Sequence, residues 1–197
     1  MPSREHLEKY VPYYCEENIW HLCQHQDFDN IETCDVVFIT NERKQFPIFY
    51  QRAAISNERF VVWDYHVILI TKEKDKGAFV WDLDTTLSFP VPLEFYVKEC
   101  FLFEKKYAKY YPKFRIIERN KLLSTFTSDR KHMLVKGSDT EYLQPPPAWP
   151  CCTPQEVYNK KHISGGDTPL RTLMKIIDFT QNTEEIVTLQ NIINKYL

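Results

Sequence analysis

Glycine is scarce in this chain, at 4 of 197 residues. Backbone cradles for phosphate groups depend on glycine, and neither a GxGxxG nor a GxxxxGK[ST] pattern occurs. This argues against the two classes of nucleotide-binding protein that carry those motifs. No apolar run approaches the roughly 18 residues of a membrane-spanning helix. The opening residues, MPSREHLEKY, are charged and lack the apolar stretch of a secretory signal, so we do not expect secretion.

An excess of charge of one sign is also lacking, since 25 Lys and Arg face 27 Asp and Glu for a formal net charge of −2. Such a chain has no electrostatic attraction for nucleic acid or anionic membranes, and we expect neither as a partner. The 6 cysteines are irregularly spaced, which favours reduced thiols over a disulfide framework. We therefore expect a cytoplasmic monomer that also has access to the nucleus at this size.

The hydrophobic residues, 43% of the chain, suffice for one domain over residues 1–197. Their spacing predicts helices over residues 15–26, 93–106 and 183–196, the last with Thr183 as its N-cap. It predicts strands over residues 35–40, 45–50, 60–70, 78–85 and 113–117. A helix, then an antiparallel set of strands, then further helices is the order of the α+β class.

The predicted hairpin of VVWDYHVILI and AFVWDLDT carries polar side chains inside apolar strands. If the hairpin is centred on Lys74, paired residue numbers add up to 148 and His66 lies opposite Asp82. Directly opposed side chains have Cβ atoms about 4.5–5.5 Å apart, within reach of an imidazole–carboxylate hydrogen bond. The alternative is an amphipathic hairpin whose polar face is exposed to water.

Cys15 is a candidate nucleophile because it begins the first predicted helix, where the helix dipole lowers the pKa of a thiol. It shares a helical face with Ile19 and Cys23, so an ordinary buried cysteine is the alternative interpretation. The nearby HLCQH segment does not predict a zinc site, because His21 and His25 share one face of the helix while Cys23 points elsewhere.

Three stretches, YYCEENIW (13–20), WDYHV (63–67) and DLDT (82–85), together resemble the protein N-terminal glutamine amidohydrolases, a family with a WDYHV motif. The resemblance extends in collinear order to FITNERK (38–44), FPIF (46–49), SDRKHM (128–133) and PPPAWPC (145–151). Beyond about residue 155 the tail shows no match. The family is similar to papain-like and transglutaminase-like enzymes, so the resemblance implies an α+β fold of that type. It also implies a triad of Cys15, His66 and Asp82, with no metal or organic cofactor.

The resemblance implies conversion of an N-terminal glutamine to glutamate with release of ammonia. Cys15 would attack the carboxamide, His66 would transfer protons, and Asp82 would orient the imidazole. The implied partners are proteins and peptides with N-terminal glutamine, whose new glutamate is arginylated and marks the protein for degradation. Two alternatives stay open. One is another thiol enzyme, a peptidase or a transglutaminase-like acyl transferase, and the other is a non-catalytic peptide-binding module.

Restriction to an N-terminal residue requires recognition of its α-ammonium group, and an acid close to the thiol and imidazole would provide it. Four acids are candidates because they are neighbours of the predicted triad: Asp64, Asp84, Glu16 and Glu17. In the predicted register Asp64 lies opposite Asp84. The ordinary alternative is that the glutamates complement the helix dipole and that a basic side chain neutralises the two aspartates.

Overall fold

A computed structural model describes residues 9–55, 59–101, 104–154, 171–180 and 186–197. The helices in these residues are α1 (Cys15–Leu22), α2 (Leu93–Cys100), α3 (Arg119–Thr125), α4 (Leu173–Ile176) and α5 (Leu189–Tyr196). The strands are β1 (Thr33–Thr40), β2 (Phe46–Phe49), β3 (Phe60–Trp63), β4 (His66–Glu73), β5 (Gly77–Trp81), β6 (Val91–Pro92), β7 (Lys113–Glu118), β8 (Phe126–Thr127), β9 (Arg171–Thr172) and β10 (Ile186–Val187). Short 3₁₀ turns lie at Gln26–Phe28, Lys105–Tyr110 and Lys131–Met133.

The main sheet has six strands in the order β10-β7-β1-β4-β5-β6, and every neighbouring pair is antiparallel. Two small sheets accompany it, an antiparallel pair of β2 and β3 and a parallel pair of β8 and β9. A large antiparallel sheet combined with helices confirms the predicted α+β class. None of the helices in the described segments is long and apolar enough to cross a membrane.

Apolar side chains cover both faces of the main sheet, because successive residues of a strand point to opposite sides. On one face Val67 and Leu69 of β4 share a buried cluster with Ile19 of α1. On the other face Ile68 shares a second cluster with Tyr96 of α2. Full burial of each such aliphatic side chain contributes about 1.5–3 kcal/mol. The two helices thus cover opposite faces, and β4 between them is held at a fixed position relative to the start of α1.

The strand predicted over residues 60–70 is divided at Asp64 and Tyr65, which is a correction to the prediction. The carboxylate of the exposed Asp64 accepts a hydrogen bond of 2.9 Å from the N–H of Tyr65. The carbonyl of Asp64 accepts another, of 2.6 Å, from the hydroxyl of Thr40. These local contacts compete with a sheet ladder, so the chain leaves β3 and enters a different sheet. As a result His66 is the first residue of β4.

The register of the hairpin between β4 and β5 also differs from the prediction by two. Leu69 pairs with Trp81, so paired residue numbers add up to 150. The connecting loop has three residues, 74–76, and it is followed by Gly77, the first residue of β5, whose φ of 81° favours glycine. The predicted opposition of His66 and Asp82 in the ladder is therefore wrong, because β5 ends before Asp82.

The C-terminal helix is shorter than predicted. Thr183, the predicted N-cap, lies outside the described residues. Helix α5 begins at Leu189, and its N-cap is Thr188, which forms a reciprocal capping box with Asn191. Two residues just before this cap, Ile186 and Val187, form the edge strand β10. The capping pattern was present in the sequence, but the β-branched pair ahead of it competes with helix formation.

Candidate active site

Cys15 is the first residue of α1, as predicted, and it is buried with 4% of its surface exposed. Its thiol lies 3.8 Å from Oε2 of Glu16 and contacts the main chain of Val67 on β4. Val67 directly follows His66 in the chain. The start of the first helix and the start of β4 therefore meet at this cysteine.

His66 and Asp82 are hydrogen-bonded to each other although they do not pair in the ladder. Nε2 of His66 lies 2.9 Å from Oδ1 of Asp82, and both side chains are completely buried. The other carboxylate oxygen, Oδ2, accepts hydrogen bonds of 2.9 Å from Gln51 and 2.8 Å from the hydroxyl of Tyr96. The interpretation of His66 and Asp82 as a water-exposed polar face is therefore wrong.

The orientation of the His66 imidazole ring is also restrained by an aromatic neighbour. The indole of Trp63 stacks on it, with ring centroids 5.2 Å apart and an angle of 19° between the planes. The indole N–H of Trp63 in turn donates a 3.2 Å hydrogen bond to Gln51, which holds Asp82. Nδ1 of His66 is buried and has no hydrogen-bond partner in the described part of the chain. With Nε2 donating to Asp82, Nδ1 is the nitrogen left free to accept a proton.

Each member of this pair supports the charged form of the other. Burial lowers the pKa of His66, but the charge and hydrogen bond of Asp82, helped by Asp84 and Glu16, outweigh burial and leave it raised. Burial raises the pKa of Asp82, and the opposing contributions of His66, Gln51 and Tyr96 leave it lowered. The carboxylate is therefore ionised and the imidazole is a stronger base than an isolated one.

The predicted low pKa of the Cys15 thiol is wrong. Burial raises this pKa well above its ordinary value, and the charges of Glu16 and Asp84 raise it further. The hydrogen bond with the main chain of Val67 opposes them, and Asp64 adds to the increase. A helix start offers only about half a unit charge, which these effects exceed.

Glu17 is held by residues from the second half of the chain. Nε and Nη2 of Arg130 donate 2.8 Å hydrogen bonds to its two carboxylate oxygens, and the indole N–H of Trp149 donates one of 2.7 Å. Arg130 also donates to the carbonyl groups of Pro147 and Trp149. Its φ of 55° is in the left-handed region, which is strained for a residue with a side chain. Glu17 thus links the proline-rich segment PPPAWPC (145–151) to α1, and the guanidinium of Arg130 balances its charge.

Glu16 has a different environment from its neighbour. Its Oε2 accepts a 3.0 Å hydrogen bond from the hydroxyl of Tyr65, which also lies 3.0 Å from Nε2 of His132. Its Oε1 is 3.6 Å from the same nitrogen, and in the described residues it has no hydrogen-bond partner. Burial, followed by the charge of Glu17, raises the pKa of Glu16 to about 8. Burial lowers the pKa of His132, so this imidazole is neutral near pH 7.

Asp84 lies beside the histidine pair, whereas Asp64 is exposed. The hydroxyl of Tyr10 donates a 2.6 Å hydrogen bond to Asp84. Burial raises the pKa of Asp84 even though the charge of His66 opposes it. The predicted opposition of Asp64 and Asp84 is wrong, because the strand breaks at Asp64 and the hairpin register is shifted.

His66, Asp82 and Asp84 also form a possible metal-binding group, since their donor atoms lie within 4.8 Å of one another. Nε2 of His66 is bonded to Oδ1 of Asp82, and Oδ1 of Asp84 accepts from the hydroxyl of Tyr10. A metal ion bound through these atoms would have to replace both hydrogen bonds. We therefore interpret the cluster as an orienting pair with an adjacent acid.

The sequence motifs contained several of these neighbours without indicating what they do. Tyr65 belongs to the WDYHV stretch, Arg130 and His132 to SDRKHM, and Trp149 to PPPAWPC. Gln51 lies outside every motif. The signal that could have drawn attention to Arg130 and His132 was charge in a segment shared with the family.

A buried thiol at a helix start and an imidazole bonded to a carboxylate are the groups that a thiol-dependent hydrolase requires. A family model described as N-terminal glutamine amidase matches residues 10–195. The chain belongs to the N-terminal glutamine amidase family. This match includes most of the tail after residue 155, where the sequence motifs showed no resemblance.

Curated relatives support the same assignment. A protein N-terminal glutamine amidohydrolase of Danio rerio is 43% identical over 155 residues, which cover 76% of this chain and 75% of the relative. The protein of the same name from Homo sapiens is 41% identical, covering 72% and 70%. That from Arabidopsis thaliana is 39% identical, covering 81% and 77%. The similarity therefore extends across animals and plants.

Proposed function

We propose that this protein hydrolyses the side-chain amide of an N-terminal glutamine, giving N-terminal glutamate and ammonia. Membership of the N-terminal glutamine amidase family and the shared name of its relatives support this activity. The structural observation that carries the mechanism is the buried His66–Asp82 pair, whose free nitrogen is on the strand that contacts Cys15. Cys15, His66 and Asp82 act as a triad of the papain and transglutaminase type.

In the first half-reaction the proton of the Cys15 thiol passes to Nδ1 of His66, and the sulfur attacks the carboxamide carbon. The tetrahedral intermediate collapses when His66 returns this proton to the amide nitrogen. The C–N bond then breaks, ammonia leaves, and a thioester to Cys15 is formed. Asp82 stabilises the imidazolium and keeps Nδ1 directed away from itself.

In the second half-reaction His66 takes a proton from water, and the resulting hydroxide attacks the thioester. The C–S bond breaks, the proton returns to sulfur, and the glutamate side chain leaves as a carboxylic acid. The backbone N–H of Cys15 at the start of α1 donates to the oxyanion of both intermediates. No step requires a metal ion or an organic cofactor.

The substrates are proteins and peptides that begin with glutamine, and the product serves a degradation pathway in which N-terminal glutamate is arginylated. We place this reaction in the cytosol and nucleus, and we infer that the enzyme acts as a monomer. The near-neutral charge of the chain supports a partner other than nucleic acid or an anionic membrane.

The test is an ammonia assay on a peptide with N-terminal glutamine, with mass spectrometry of the peptide. Wild-type protein should release one ammonia per peptide. The mass of the peptide should increase, because its side-chain amide becomes a carboxylic acid. Cys15→Ala and His66→Ala should each lose this activity while keeping their thermal unfolding transition. Cleavage of the peptide bond, or incorporation of an added amine, would instead show a peptidase or an acyl transferase. Binding without any reaction would show a peptide-binding module.

A further inference from the structure

The charged side chains with the largest effect on the pKa of the Cys15 thiol are acids. Oε2 of Glu16 is 3.8 Å from the sulfur, and Asp84 and Asp64 also act on the thiol strongly enough to raise its pKa. Reactive cysteines usually have cations as neighbours, because these favour the thiolate. Acids at this position oppose the first step of the proposed reaction, so their presence calls for another role.

The two arginines around this site interact with acids other than Glu16. Arg130 is bound by Glu17 through both carboxylate oxygens. The guanidinium of Arg52 is 5.2 Å from the ring centre of Tyr10, the residue that donates to Asp84, and its charge lowers the pKa of that acid. Neither arginine pairs with Glu16 in the contacts that the structure describes.

Glu16 is the acid whose charge is not balanced. The titratable groups that act on it are Glu17 on its own helix, Tyr65, His132, the Cys15 thiol and, from the start of β4, His66. His66 is hydrogen-bonded to Asp82, and His132 is neutral near pH 7 because burial lowers its pKa. Within the described residues, Oε1 is completely buried and lacks a hydrogen-bond donor. A buried carboxylate oxygen without a donor, next to a nucleophile, is suited to a cationic group of the substrate.

We propose that Glu16 binds the α-ammonium group of the N-terminal glutamine, with Oε1 as the acceptor. This inference rests on the proposed function. Four bonds separate the α-nitrogen from the carboxamide carbon, a span of about 5 Å when extended. A carboxylate whose other oxygen is 3.8 Å from the sulfur is within that range. The bound ammonium also balances the charge of the ionised Glu16, so ionisation of this acid on binding does not oppose formation of the thiolate.

Binding of the α-ammonium group is coupled to the loss of a proton from Glu16. The pKa of Glu16 is about 8 in the unoccupied protein, so the acid is mostly protonated at pH 7. An ammonium group binds the ionised form, and Glu16 therefore releases its proton when the site is filled. An N-acetylated glutamine has no cation and causes no such release.

The kinetic experiment compares free-amine and N-acetylated glutamine peptides with wild-type protein, Glu16→Gln and Glu32→Gln. Glu32 is exposed before β1, so its variant removes the same charge outside the site. We expect Glu16→Gln to lose at least about tenfold in kcat/KM on the free amine, mainly through KM. The activity of this variant on the acetylated peptide should change much less, so its preference for the free amine narrows. Glu32→Gln should keep the wild-type preference.

The binding experiment uses a peptide with N-terminal norleucine, which has the α-ammonium group but no amide to hydrolyse. Calorimetry at pH 7 in two buffers of different ionisation enthalpy measures the protons released on binding. We expect close to one proton from the wild-type protein and from Glu32→Gln. We expect none from Glu16→Gln, and none from wild-type protein with the acetylated peptide.

Three outcomes overturn the inference. Unchanged preference for the free amine in Glu16→Gln places the ammonium site elsewhere. Proton release that persists in Glu16→Gln but disappears in Asp84→Asn assigns the site to Asp84. Binding of the norleucine peptide by wild-type protein without proton release also excludes Glu16, and this arm does not depend on a variant folding. Absence of deamidation by wild-type protein, by contrast, refutes the proposed function, and the calorimetry still tests the ammonium site.

Discussion

Nε2 of His66 lies 2.9 Å from Oδ1 of Asp82, although the two residues belong to different parts of the hairpin. His66 opens β4, and Asp82 follows the last residue of β5. Gln51 and Tyr96 hold the second carboxylate oxygen, so Asp82 is positioned by two elements outside that hairpin. The geometry of the pair is therefore a tertiary feature, maintained by a helix and a loop in addition to the sheet.

Asp82→Asn should impair catalysis far more than it impairs folding. An amide can present N–H to the imidazole, which favours the wrong tautomer, and we expect kcat to fall by about 10³–10⁴-fold. Because Asp82 is the group that holds the pKa of His66 up, this pKa should fall in the variant. NMR titration of the imidazole would detect the shift. Tyr96→Phe, which removes one donor to the carboxylate, is the control and should reduce kcat only slightly. A wild-type rate in Asp82→Asn would remove Asp82 from the triad.

Arg130→Ala should destabilise the protein strongly, because it leaves Glu17 buried without its partner. Loss of one member of a buried ion pair costs about 3–5 kcal/mol in the free energy of unfolding. The double variant Arg130→Ala with Glu17→Gln should be more stable than Arg130→Ala alone, since it removes the unpaired charge. Urea denaturation of Arg130→Ala, Glu17→Gln, the double variant and the wild type gives the coupling energy. Additive losses would contradict a direct pairing of these two residues.

Removal of metal ions should leave deamidation unchanged. Nε2 of His66 and Oδ1 of Asp82 are hydrogen-bonded to each other, and Oδ1 of Asp84 accepts from Tyr10. Treatment with a chelator, followed by the ammonia assay in metal-free buffer, is the measurement. Recovery of a lost activity on addition of one particular divalent ion would show instead that this cluster binds a catalytic metal.

The sequence contained the identity of the proposed catalytic residues but not the way they meet. WDYHV beside CEENIW was specific enough to indicate the family, and the order of helix and strands indicated the class. The hairpin register was off by two because a three-residue loop followed by Gly77 fits the same sequence as well as a turn centred on Lys74. The break at Asp64 depends on a hydrogen bond from Thr40, a residue distant in sequence. Local pattern therefore could not reveal it.

The electrostatic environment was the least predictable part of the site. A helix start suggested a low pKa for the Cys15 thiol, but burial and nearby acids determine the pKa, and both depend on the folded structure. Likewise, Glu16 and Glu17 are adjacent and identical in type. Only the tertiary position of Arg130 distinguishes the balanced acid from the unbalanced one.

Glu16→Gln should make the protein more stable, and the gain should depend on pH. The pKa of Glu16 is raised from 4.5 to about 8 on folding, so burial of its ionised form opposes folding. Both states are protonated below the unfolded pKa, and there the variant and wild type should be equally stable. As pH rises from about 4.5 to about 8 the unfolded wild-type chain gains by ionising, and the wild type loses stability relative to the variant.

The difference should reach a plateau above pH 8, on the order of 5 kcal/mol, since the pKa changes from 4.5 to about 8 and one pKa unit corresponds to about 1.4 kcal/mol. Thermal unfolding at pH 4, 6 and 8 measures it, with Glu32→Gln as the control that should show no such trend. A stabilised variant with a weakened preference for free amines would mean that Glu16 is retained for recognition at the expense of stability. A variant that is less stable than wild type at pH 8 would show that the carboxylate has a partner in the folded protein and supports the fold.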